Sequence, residues 1–176
     1  QTATYQGLLE AGVDGRAAYD LIKDFRAAES ADEKRYLITQ SDISGDGKSV
    51  AYYGLMASDS ERKLMDELAE SGADMGEVTD AIIGIRNAQR LDGAQETEYK
   101  LGALLNAELD VNDKYALYRA LISDTQDEDI LAFSDAGLSF DQYLQAKRQY
   151  AIIDEDAADS TERALQFAEW VDGLDI

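Results

Sequence analysis

The 176 residues carry 37 acidic and 16 basic side chains, a formal net charge of -21, so direct binding to nucleic acid or anionic membrane is not expected and an electrostatically steered partner would be basic. Histidine and cysteine are absent, which excludes disulfides, the usual zinc sites, thiol nucleophiles and imidazole acid–base chemistry. With 45% apolar residues and no apolar run of bilayer length, the chain is expected to fold without spanning a membrane.

Proline is also absent, where roughly nine would be expected at average usage, and a series of helices joined by short turns tolerates that well. Apolar spacing predicts helices in chain order near 3–11, 15–28, 31–39, 48–57, 60–71, 75–90, 95–106, 112–122, 126–136, 140–152 and 160–172. Strand-like alternation is rare, and several helices are too short to be stable without packed neighbours. The fold class is therefore all-α, with short helices packed as a multi-helix array or short α-solenoid.

The organisation is a repeat of about 60–65 residues. AGVDGRAAYDLI at 11–22, SGADMGEVTDAI at 71–82 and AGLSFDQYLQAK at 136–147 share one plan. Gly12, Gly72 or Gly137 ends a helix in the left-handed conformation, and an apolar residue then covers that end. Asp14, Asp74 or Ser139 caps the next helix. Glu77 and Gln142 stand three residues beyond their caps, the spacing of a capping box. Downstream, AYYGLMASDSERKLMDEL at 51–68 aligns with ALYRALISDTQDEDILAF at 116–133, matching Tyr53 to Tyr118. The units run 1–11 as the end of a preceding unit, 12–71, 72–136, and 137–176 as a partial third. Because the chain starts at Gln1 without an initiator methionine, it is read as a segment of a longer protein.

SDISGDGKSVAYY at 41–53 begins like a calcium-binding loop, with Asp42, Ser44 and Asp46 alternating before Gly47. The twelfth position, normally a bidentate Glu, is Tyr53, so these three are candidates for weak calcium ligation at most. ELDVNDKYALY at 108–118 lacks the glycine-rich turn, which favours a structural turn and cap. The acidic run Asp154-Glu155-Asp156-Ala157-Ala158-Asp159, which could collect a cation, is read more simply as a hydrated link between helices, and the Asp124, Asp127, Glu128 and Asp129 group as acids at a helix start. No catalytic constellation or cofactor motif is found. Candidate interaction residues are Tyr53, Tyr118, Tyr143, Tyr150 and Trp170, since tyrosine combines contact area with a polar tip.

The three junctions, together with ISGDGKSVAYYGLM and LDVNDKYALYRALI, resemble the degenerate helical repeats of long structural proteins of phages infecting Gram-positive bacteria, over most of residues 11–172. In such regions a GDG or GNG turn often precedes a helix. Asp46, Gly47 and Lys48 keep that style, while the second copy lacks the glycines. The resemblance implies a virion-associated scaffold, tail or internal region, and transfers no catalytic residue. The expected function is a non-enzymatic structural or protein-interaction segment whose partners are other subunits or flanking repeats. The alternatives are an acidic DNA mimic that inhibits a basic nucleic-acid-handling protein, and a calcium-binding helical module.

Overall fold

Short polar side chains take up the first free amides of most helices, and these caps punctuate the chain. The computed structural model describes residues 2–123 and 138–173, and among these the secondary structure is helical with no strand. The helices are α1 (Thr2–Glu10), α2 (Gly15–Ala27), α3 (Ala31–Gln40), α4 (Gly45–Leu55), α5 (Asp59–Glu70), α6 (Met75–Ala88), α7 (Gly93–Asn106), α8 (Val111–Leu121), α9 (Phe140–Asp156) and α10 (Ser160–Asp172). The helix expected at 126–136, Gly137 and the acidic group at 124–129 lie outside the described residues. Two boundaries differ from expectation by more than two residues. α4 begins at Gly45 rather than 48, and α9 continues to Asp156 rather than 152, so within the 154–159 run the three consecutive acids form the last turn of α9 and only 157–159 links it to α10.

The first two junctions share one geometry. Gly12 and Gly72 have φ of 85° and 84°, a conformation that costs glycine no side-chain clash. At the first, Val13 N donates to Leu8 O and Gly12 N to Leu9 O; at the second, Ala73 N donates to Leu68 O and Gly72 N to Ala69 O. This paired pattern closes the last carbonyls of α1 and α5. Asp14 Oδ1 then accepts from Arg16 N and Ala17 N, and Asp74 Oδ1 from Gly76 N and Glu77 N. Ser139 and Gln142 form a complete capping box at the start of α9. Glu77 directs its Oε2 elsewhere, accepting from Glu108 N at 2.9 Å, so it ties α6 to the α7–α8 connection.

The helices also set the register of the repeat. Ser44 caps α4 by accepting from Gly47 N, and Asp110 caps α8 by accepting from Asp113 N, each three residues beyond the cap. Both helices have 11 residues, and they start at Gly45 and Val111. At the other end Tyr52 O accepts from Met56 N and Ala57 N, as Tyr118 O does from Ile122 N and Ser123 N. Tyr118 therefore corresponds to Tyr52, not to Tyr53. The apolar match is off by one because two adjacent tyrosines offer the same hydrophobic signal, whereas only one faces inward. In this register Lys48 corresponds to Lys114. The two connections into these helices are also equal in length.

Residues 1–83 with 107–117 make one compact unit, and 84–106 with 118–176 make a second. In the first, Leu8, Ile38, Tyr52, Met65 and Ile82 are fully buried. α1 crosses α4 through small residues: a Cβ at Gly54 would lie 2.2 Å from Thr4 Oγ1, and one at Gly7 would lie 2.9 Å from Val50 Cγ1. In the second unit α7 packs along α9, burying Leu101, Leu104, Tyr118, Tyr143 and Leu144. There Gly84 lets α6 approach α7, since a Cβ at that position would meet Ala103 Cβ at 2.8 Å.

Candidate interaction surfaces

In the calcium-like stretch Ser44 is a helix cap, and Gly45, Asp46 and Gly47 form the first turn of α4. Ser44 Oγ accepts from Gly47 N at 3.1 Å, and Asp46 sits where a carboxylate complements the helix dipole. The backbone is thus helical where a calcium loop would wrap its ion. Among the described residues no group of three or more His, Cys, Asp or Glu side chains is arranged to hold a metal. The glycines have a packing reason. A Cβ at Gly45 would lie 3.1 Å from Gly76 Cα, and one at Gly47 would lie 2.8 Å from Val13 Cγ2. In the second copy their places are taken by Val111, which is 52% exposed, and Asp113, whose Oδ1 accepts from Ser71 Oγ. Ser44→Ala should cost about 1 kcal/mol of stability, the usual value of such a cap, read by urea denaturation. Calcium should leave the midpoint unchanged, and a calcium-induced rise that disappears in Asp46→Asn would restore the metal reading.

Beside this turn Lys48 Nζ donates to Thr39 O at 3.0 Å. Partial burial raises the Asp80 carboxyl above its usual range; nearby Lys48 opposes the shift, while Glu77 and Asp74 add to it.

Two of the candidate interaction tyrosines belong to the core. Tyr118 is 1% and Tyr143 2% exposed; their hydroxyls lie 3.1 Å apart, and Lys147 Nζ donates to the Tyr118 hydroxyl at 2.7 Å. The Tyr118 ring meets those of Phe140 and Tyr143 edge-on. Burial removes both residues from a docking face, because rings packed between α8 and α9 present nothing to a partner. Tyr53 is half-buried. Its hydroxyl donates to Asp66 at 3.1 Å, a bond that raises its pKa, and Arg62 lies over its ring. Tyr150 is exposed and meets Phe167 edge-on, while Phe167 stacks on half-buried Trp170.

The sequence reading missed other residues. Ser58 and Glu61 form a complete capping box, and the almost fully buried Glu61 also accepts from the Tyr52 hydroxyl at 2.8 Å. Its signal, a serine followed three residues later by glutamate, stands plainly at 58–61. A cleft of about 590 Å³ between α1 and α2 is lined by Tyr5, Tyr19, Ile22, Lys23, Arg26 and smaller neighbours, and among the described residues no carboxylate lines it. Tyr19 is 59% exposed there. Tyr19, Ile22, Lys23 and Arg26 recur at helical spacing, but the pattern within α2 does not show that α1 comes to lie beside them.

Among the described residues these features make an all-helical repeat array, and no helix there is long and apolar enough to cross a membrane. No protein-family model, curated protein or solved structure matches the chain.

Proposed function

We propose that this chain is a non-enzymatic structural segment that works by docking against neighbouring copies or flanking repeats of its own kind. The α1–α2 cleft supports this reading. In a chain of net charge -21 it gathers Lys23 and Arg26 beside Tyr5, Tyr19 and Ile22, with no carboxylate of the described residues in its lining. Tyrosine rings and an aliphatic floor suit the side of a helix, and the two cations suit an acidic one. The chain supplies such a surface at the Asp154-Glu155-Asp156 end of α9, where Glu155 and Asp156 are exposed. Placement of the segment in a phage virion rests on the sequence resemblance.

Sedimentation velocity over a concentration series at physiological ionic strength tests the docking. Reversible association is expected, and Lys23→Glu with Arg26→Glu should abolish it while leaving the circular dichroism spectrum unchanged. A chain that stays monomeric at every concentration, or whose association ignores the double substitution, would sink this reading.

A further inference from the structure

A second cleft, wholly within the unit formed by 84–106 and 118–176, has a different chemistry. It lies among the end of α6, α7 and α9, encloses about 520 Å³, and is lined by Asn87, Arg90, Gln95, Tyr99, Asn106 and Arg148 over a floor of small residues. Two guanidinium groups, three carboxamides and a phenol thus line it, and among the described residues no carboxylate does. Helix packing makes the floor. Gly84 touches Ala103 across α6 and α7, and bare Gly102 faces the Arg148 guanidinium, whose Nε would stand 3.4 Å from a Cβ added there. Both cations have hydrogen-bonding capacity left for a ligand. Arg90 makes no ion pair among the described residues, and Arg148 reaches Glu98 only at 3.9 Å. Tyr99 is 58% exposed at the rim, where its ring can cover a ligand face.

We infer that this cleft is a binding site for a small polyhydroxylated ligand carrying one oxyanion, of the class of sugar acids and sugar phosphates. Guanidinium groups pair with carboxylate or phosphate through two parallel hydrogen bonds. Carboxamides both donate and accept, which matches hydroxyl groups, and the volume lies within the range of small-molecule sites. The α1–α2 cleft, with no carboxamide, lacks this complement. Repulsion from the distant acidic surface is largely screened beyond about 8 Å at physiological salt, so the local lining governs binding. The inference does not depend on self-docking, since a monomeric chain retains the whole cleft.

The test is an amide and arginine side-chain NMR titration of the full chain with glucuronate, glucose 6-phosphate and, as neutral control, glucose. Saturable shifts at Gly102, Ala103 and the Arg90 and Arg148 side chains are expected with one or both anions, and the stronger of the two identifies the oxyanion source. Arg90→Gln should weaken binding about tenfold, the usual worth of one charge-assisted pair. Arg148→Gln should do the same. Arg90 is exposed and makes no ion pair among the described residues, so its variant keeps the test valid if Arg148→Gln disturbs folding. Absence of saturable shifts at millimolar ligand, equal binding of glucose, or shifts that persist unchanged in Arg90→Gln would each overturn the assignment.

Discussion

Tyr118→Ala should lower the unfolding free energy by about 3–5 kcal/mol, the cost of truncating a buried aromatic to alanine. The ring is 1% exposed and packs edge-on against the stacked Phe140 and Tyr143 rings, so deletion leaves a cavity that helix packing closes only in part. The hydroxyl adds a second loss, because it joins the Tyr143 hydroxyl and Lys147 Nζ. Tyr118→Phe isolates that loss and should cost about 1–3 kcal/mol, since it strips a partner from buried polar groups while keeping the ring. Urea denaturation of the two variants separates the terms. An interface residue would give another result, with little change in stability and a change in association instead. A cost below about 1 kcal/mol for Tyr118→Ala would place the ring at the surface after all.

Gly76→Ala tests the meaning of the glycine-rich turn. A Cβ at Gly76 would lie 2.9 Å from Gly45 Cα and 3.3 Å from Gly45 C, against backbone that moves only if a helix start moves. Alanine is the better helix former by about 1 kcal/mol, which alone would make the substitution stabilising. Overpacking of this kind costs about 1–3 kcal/mol, and it should win because no flexible side chain can swing aside. A net loss is therefore expected, with Gly76→Val worse. Gly102→Ala is the control. Its Cβ would meet only the Arg148 side chain at ordinary contact distance, so it should be neutral or slightly stabilising. Equal or greater stability in Gly76→Ala would show that the helix starts of α4 and α6 do not approach as closely as described.

The contrast between these residues shows what a single chain of letters conveys. Asp14, Asp74 and Ser139 are readable as caps because the cap and the amides it satisfies are neighbours in sequence. Gly12 and Gly72 are readable because a positive φ is a local demand. Gly45 and Gly47 look the same in sequence, yet their reason lies in Gly76 and Val13, which sit about 30 residues away. An acidic, glycine-rich string in that position imitates a metal loop, because oxygen donors beside a turn are common to ion ligation and helix capping.

The sequence by itself determined an all-helical chain, most helix positions to within a few residues and the plan of the repeated junction. All of these follow from hydrogen bonds and apolar spacing inside one or two turns of helix. Only the tertiary structure decided which tyrosine of a pair enters the core, that Glu77 reaches Glu108 rather than closing its own capping box, and that Arg90 and Arg148 share a cleft that no carboxylate of the described residues lines. Those outcomes depend on which helix faces meet, and residues far apart in sequence set that through close packing.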